Sequence, residues 1–312
     1  MTTEPELTIS EELPADHRSG YVAVIGKPNV GKSTLMNALL GQKVAIVSPK
    51  PQTTRQPLLG ILTRPEAQLI FVDTPGIHLP HHALGEYMVA SAKQAIPDAD
   101  LVCFLVDLSG EPDGADRAIA KLVSAVRAPK LLLLNKADLV PAEAVEARAA
   151  AYRALGTFDG DLVISALQGA GLDALLQAMI QRLPLGPRYF PEEQVTDQYM
   201  RSIAAEMIRE QVLNHLEQEV PHAVAVVVEE YKEREDGSTY IAANVFVEKE
   251  SQKGIIIGAQ GSMLKRIGQA ARAEIEAMTG GKVFLELWVK VLKNWRKEPH
   301  LLKRLGYAPP RR

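Results

Sequence analysis

A short apolar segment, residues 21–25, runs directly into Gly26, Lys27, Pro28, Asn29, Val30, Gly31, Lys32 and Ser33, and then into a helical pattern over 34–40 that starts with Thr34. This G-x-x-x-x-G-K-S octet between a strand and a helix constrains the fold more than any other feature of the chain. Glycines let the backbone wrap a phosphate with its N–H groups, and the helix N-terminus adds positive potential. Lys32 is placed to reach the β- and γ-phosphates, and the Ser33 hydroxyl to ligate Mg²⁺. Eight letters alone can be coincidence; the flanking strand and helix make the match specific.

Four further segments follow in order. Asp73, Thr74, Pro75 and Gly76 follow the apolar run 68–72. A carboxylate at that strand end can hold Mg²⁺, usually through water. The Gly76 N–H can meet a γ-phosphate because no side chain obstructs it. Asn135, Lys136, Ala137 and Asp138 follow the strand 130–134. The Asp138 carboxylate can accept two hydrogen bonds from the N1–H and N2–H₂ edge of guanine, which adenine lacks. Ser165, Ala166 and Leu167 follow the strand 161–164, and a backbone N–H there, Ala166 first, can donate to guanine O6. Between the octet and Asp73 lie Pro51, Gln52, Thr53, Thr54 and Arg55 in a polar stretch. A threonine in such a loop binds Mg²⁺ only while a γ-phosphate orders the loop. Thr54 is the first choice and Thr53 the alternative. All these segments sit at the C-terminal ends of expected strands, where open α/β sheets bind ligands.

Apolar strands near 21–25, 58–63, 68–72, 101–106, 130–134 and 161–164 alternate with helical patterns, which predicts an α/β domain with a mostly parallel sheet. Three prolines within 183–191 break the periodicity and mark a boundary. The expected division is a disordered tail over 1–20, a nucleotide-binding domain over 21–185, a linker over 186–195 and a second domain over 196–312. That second domain reads as a helix over 197–217, strands over 222–230 and 239–248, a turn at 258–261, a helix over 262–278 and a strand over 282–291. With a short helix before the turn, the order is α-β-β-α-α-β.

The 312 residues suit two domains. No run of 18 apolar residues exists, and the start of the chain lacks a basic segment followed by an apolar one, so neither a transmembrane helix nor a signal peptide is expected. The single cysteine, Cys103, lies in a fully apolar strand and reads as inert core. Net charge is −3, yet residues 249–312 carry 14 Lys and Arg against 5 Asp and Glu. A basic end on an acidic chain implies a polyanionic partner. Within it, Lys253, Ile257, Gly258, Ala259, Gln260, Gly261, Lys265 and Arg266 form a G-x-x-G turn flanked by isoleucine and basic residues. This segment resembles a KH motif, in which such a turn between two helices clamps the backbone of about four nucleotides. Trp295 is the better candidate for base contact than Trp288, which falls in a strand and reads equally as core. A basic amphipathic helix over 294–305 suits RNA or a membrane surface, and the adjacent turn favours RNA. His78, His81 and His82 crowd one loop, but no cysteine or carboxylate completes a tetrahedral set, so they read as solvated loop residues.

The set GKPNVGKS, PQTTR, DTPG, NKAD and SAL, followed by the G-x-x-G turn, resembles the Era family of GTPases, in which this domain precedes a type II KH domain. The likeness covers nearly the whole chain after residue 20. It implies a Mg²⁺-dependent GTPase that binds the 3′ region of small-subunit rRNA and acts on the 30S-type subunit during its assembly. It places the protein in the cytoplasm, with peripheral contact at the inner membrane face as a second placement. Lys32, Asn29, Thr54 and Gly76 are the residues expected to act on the transition state. Ras-like enzymes carry a glutamine after the DTPG segment, and here Ile77 stands in its place. Turnover should therefore be slow. In related GTPases an asparagine at the position of Asn29 helps hold K⁺ beside the phosphates; the other reading is that Asn29 only shapes the loop. Two rivals remain: an RNA chaperone that senses GTP with negligible turnover, and a tRNA-modifying GTPase, whose C-terminal cysteine this chain lacks.

Overall fold

The structure, a computed structural model, describes residues 13–50, 52–77, 82–94 and 96–307. Pro51, His78, His81 and most of the expected tail therefore lie outside the described residues. The first domain comprises β1 (Arg18–Ile25), α1 (Lys32–Leu40), β2 (Leu58–Thr63), β3 (Ala67–Asp73), α2 (Ala83–Gln94), β4 (Leu101–Asp107), α3 (Gly114–Ser124), β5 (Lys130–Asn135), α4 (Ala142–Arg153), β6 (Asp161–Val163) and α5 (Leu172–Ile180). The second comprises α6 (Met200–His215), β7 (Ala225–Glu233), β8 (Thr239–Val247), α7 (Glu250–Ile257), α8 (Ser262–Thr279), β9 (Val283–Val291) and α9 (Pro299–Arg304).

The six strands of the first sheet run in the order β2-β3-β1-β4-β5-β6, and only β2 is antiparallel to its neighbour. β3 is buried along its length and β4 nearly so, because helices cover both faces; that is why these strands read as continuous apolar runs. Leu35, Met36 and Leu39 of α1 and Leu175 and Met179 of α5 pack on one face. Ile119 and Val123 of α3 and Ala149 and Tyr152 of α4 pack on the other. Cys103 is buried in this core, and burial pushes its thiol far above the usual range, as expected of an inert side chain. β1 lies between β3 and β4, the point where strand order reverses. Loops leaving the carboxyl ends of these strands bound a crevice there.

In the second domain β7 pairs antiparallel with β8, and β8 pairs parallel with β9. Ile203, Met207 and Ile208 of α6 and Ile267, Ala271 and Ile275 of α8 cover one sheet face. The order is the α-β-β-α-α-β read from the sequence.

Two expectations need correction, and one gains detail. β1 starts at Arg18, and His17 and Ser19 are buried, so residues 17–20 belong to the domain rather than to a tail. The linker, expected to be stiff, is also fastened to the first domain: buried Gln68 accepts from the N–H groups of Tyr189 and Phe190 at 2.7 and 3.0 Å and donates to Phe190 O at 2.8 Å. Finally, the helix expected over 294–305 is only Pro299–Arg304, preceded by turns. Its apolar residues are not available to a membrane. Trp295, Leu302, Leu305 and Tyr307 pack with Ala225 and Phe246 against Leu84 and Met88 of α2, joining the two domains.

Candidate nucleotide and RNA sites

The octet forms the loop between β1 and α1. Gly31 has φ 104°, and a Cβ there would lie 2.4 Å from Asn135 Nδ2, so only glycine fits. Gly76 sits against the same loop: a Cβ would lie 2.6 Å from Pro28 N. Lys32 is buried, and its ammonium donates to Gly26 O at 3.2 Å and Lys27 O at 2.8 Å. Burial pushes it down to about 8, against an upward pull from the Asp73 carboxylate.

Three oxygens of separate segments meet behind Lys32. Ser33 Oγ lies 2.9 Å from Thr54 Oγ1 and donates to Asp73 Oδ2 at 2.8 Å; Thr54 Oγ1 donates to the same oxygen at 3.2 Å. Burial pushes the Asp73 carboxyl up, while Lys32 and the two hydroxyls hold it down. Asp73 Oδ1 is buried without a hydrogen-bond partner among the described residues. A hard cation with oxygen ligands satisfies this set, so the residues fit Mg²⁺. Thr53 faces elsewhere, donating to Lys50 O at 2.7 Å. Among the described residues no group of three His, Cys, Asp or Glu forms a metal cluster.

Asn135 laces the base side together. Its Nδ2 donates to Val30 O at 2.8 Å, and its Oδ1 accepts from Ala166 N at 2.9 Å. The Ala166 N–H expected to read guanine O6 is thus engaged by a neighbouring side chain. The Ser165 hydroxyl donates to Asp138 Oδ1 at 2.5 Å and fixes that carboxylate. Lys136 has φ 65° and pairs with Asp107 at 2.6 Å. A cavity of about 360 Å³ joins Pro28, Asn29, Gly31 to Thr34, Thr54 and Gly76 to Asn135, Lys136, Asp138, Ala166 and Leu167. Leu139 also lines it, 62% exposed, as does Leu167, 74% exposed. These exposed apolar residues suit the faces of a planar base.

Sequence reasoning missed Leu139 and two acids. Asp107 ends β4, and the strand-end rule that found Asp73 would have found it. Asp116 of α3 is buried and pairs with Lys27 at 2.8 Å, beside Asp113 at 2.9 Å, pinning the octet from outside. Ile77 packs on the core and donates its N–H to Gly26 O at 3.3 Å.

In the second domain the G-x-x-G turn joins α7 to α8. Gly258 and Gly261 have φ of 72° and 77°, while Ala259 and Gln260 between them are exposed. Lys265 and Arg266 are exposed on the first turn of α8, and Lys253 and Ile257 are half-buried on α7. A groove runs along Gly261, Leu264, Lys265, Gly268 and Arg272, floored by Leu285 and Leu287 of β9. A basic rim over an apolar floor suits a single nucleic-acid strand. Arg272 and the β9 leucines were not singled out in the sequence. The preference for Trp295 over Trp288 as the base-contacting residue is overturned. Trp295 is fully buried and donates to Ala223 O at 2.9 Å, so it cannot stack on a base. Trp288 is 46% exposed on β9.

Residues 21–136 match the family model described as 50S ribosome-binding GTPase, and residues 219–296 match the KH domain model. The chain is 50% identical over 291 residues to GTPase Era of Ruminiclostridium cellulolyticum, spanning 93% of this chain and 98% of that relative. The chain belongs to the Era family. It is a GTPase with a KH domain, and the Era of Caldanaerobacter subterraneus is likewise 50% identical over 94% of the chain and 98% of that relative. Two solved Era structures superpose with TM-scores of 0.90 at 41% identity. One, described as Era with MgGDPNP and nucleotides 1506–1542 of 16S ribosomal RNA, matches 94% of this chain and 99% of its own. The other is a point variant of Aquifex aeolicus Era bound to GDP·AlF4⁻, matching 93% and 99%. Era membership removes the tRNA-modifying alternative, and with it the chain is a GTPase rather than a purely sensing module. Among the described residues no helix is long and apolar enough to cross a membrane.

Proposed function

We propose that this Era-family GTPase requires Mg²⁺, binds the 3′ region of small-subunit rRNA through its KH groove, and couples GTP turnover to small-subunit assembly in the cytoplasm. Convergence of Ser33, Thr54 and Asp73 oxygens within 3.2 Å carries the metal assignment. In this reading Lys32 neutralises the phosphates, Gly76 contacts the γ-phosphate and Asp138 reads guanine. For the RNA, the basic groove of α8 and β9 and the 16S fragment held by an Era relative support the reading. The 50S wording of the family model concerns residues 21–136 alone, which exclude the groove. Crosslinking in cells and sequencing of the bound RNA should recover the 3′ region of small-subunit rRNA. Recovery of large-subunit rRNA in its place would overturn the partner.

K⁺ is a second element of the proposal. Asn29 lines the nucleotide cavity at φ 64° and donates to Pro49 O at 2.7 Å, leaving its amide oxygen as the cation ligand. With Ile77 unable to orient water, a cation beside the phosphates supplies charge in the transition state. Hydrolysis is expected to run faster in K⁺ than in Na⁺ at equal ionic strength, and Asn29→Ala should erase the difference. Equal wild-type rates would leave Asn29 as a loop-shaping residue.

A further inference from the structure

The loop between α1 and β2 is carried by the other domain. Lys43 Nζ lies 2.5 Å from Glu210 Oε2 and 3.0 Å from Glu274 Oε2. The Val47 N–H donates to Glu210 Oε1 at 2.9 Å. Lys50 donates to the carbonyls of Leu213 and Leu216 at the end of α6. Arg209 donates to the carbonyl of Thr53, the residue before Thr54. Both Arg209 and Glu210 are buried, and Arg209 is held from behind by Glu206, with Nε 2.9 Å from Oε1. Burying two charged side chains on one helix is costly unless their partners are well placed. Here those partners include one loop of the GTPase domain.

We propose that Arg209 and Glu210, in the KH domain, are positioning residues for GTP hydrolysis, holding Lys43, Val47 and Thr53 so that the Thr54 hydroxyl stays beside Ser33 and Asp73. Neither side chain touches the nucleotide cavity; each acts through the loop backbone. A polar loop left free must be ordered each time a γ-phosphate arrives, and an anchored one is already close to its bound form. The effect is specific to the triphosphate state, because Thr54 serves Mg²⁺ only while a γ-phosphate orders the loop. The inference rests on the reading of Thr54 as a Mg²⁺ ligand.

The test uses the full chain and two ligands, GDP and a non-hydrolysable GTP analogue. It measures the Mg²⁺ concentration for half-maximal binding of each, with single-turnover GTP hydrolysis alongside. Arg209→Ala and Glu210→Ala are expected to raise the Mg²⁺ requirement with the GTP analogue about tenfold, the scale of one hydrogen bond to a charged group. With GDP the requirement should not change, and hydrolysis should slow at limiting Mg²⁺. Glu210→Gln keeps an acceptor for the Val47 N–H and should recover part of the loss. Thr54→Ala is the control on the underlying reading. If it raises the Mg²⁺ requirement while the α6 variants match wild type, the positioning role is overturned and the Thr54 reading stands. If Thr54→Ala changes nothing, that reading fails and takes the inference with it. If the α6 variants shift both ligands alike, they loosen the fold, and the proposal is overturned.

Discussion

Asp138→Asn is expected to cut GTP affinity by two to three orders of magnitude and to raise affinity for XTP. In the proposed reading the carboxylate accepts from two donors of guanine, and Ser165 already fixes its orientation at 2.5 Å. Losing two hydrogen bonds to a charge is worth about 3–4 kcal/mol, which is roughly 10²- to 10³-fold in affinity. An asparagine can present its N–H₂ to the 2-oxo group that xanthine carries where guanine has an amine. Competition binding with GTP, ATP and XTP reads the change directly. Unchanged GTP and XTP affinities in the variant would show that Asp138 does not read the base.

Ala259→Asp with Gln260→Asp is expected to abolish RNA binding while leaving nucleotide affinity intact. In the proposed reading two carboxylates on the turn would face the phosphates clamped by the G-x-x-G backbone. The choice of positions follows from the structure. Replacing Gly258 would drive a Cβ to 2.7 Å from the Met263 Cβ, so a variant there would confuse unfolding with lost binding. The turn's middle residues are exposed, and the φ of 51° at Gln260 is one that aspartate tolerates. Wild-type binding should weaken steeply with salt, since each neutralised phosphate releases counterions. A folded double variant that still binds single-stranded rRNA with wild-type affinity would remove the KH groove as the RNA site.

The nucleotide site was legible because a phosphate and a guanine edge dictate backbone shape and donor pattern over four to eight contiguous residues. Gly31, Lys32, Ser33, Asp73, Asn135 and Asp138 announce themselves through neighbours in sequence. The KH turn was legible for the same reason. What stayed hidden depends on partners far along the chain. Trp295 looked like a base-stacking residue in a basic segment; its burial is set by Ala223, by Tyr307, whose ring stacks on it, and by Arg55, 5.6 Å above its ring. Arg55 is itself buried, donating to Val224 O at 2.5 Å and His222 O at 3.1 Å. No local pattern encodes a contact spanning about half of the chain. Trp288 is a different case. Val283 and Val289 are buried at odd positions of β9, so strand alternation alone places Trp288 on the other face. The contact between the Ala166 N–H and the Asn135 side chain was also hidden, because it joins two motifs whose proximity sequence order does not reveal.

The strapped linker fixes where the chain enters the second domain. After Gln68 secures Tyr189 and Phe190, Val195 O accepts from Ile61 N at 2.8 Å and Asp197 Oδ1 from Leu59 N at 3.2 Å, so the chain stays fastened to the sheet edge until just before α6. Only Gln198 and Tyr199 remain between that fastening and Met200, and Tyr199 is 83% exposed. At 1.5 Å per residue, the 16 residues of α6 make an arm about 24 Å long. A turn of ten degrees about Tyr199 sweeps the far end by about 4 Å and the first turn by less than 1 Å. Leverage is therefore greatest where Lys50 grips Leu213 and Leu216, and smaller at Arg209. An angular displacement of the KH domain would peel the 43–56 loop from its middle outward, loosening Lys50 before the grip on Thr53 gives way.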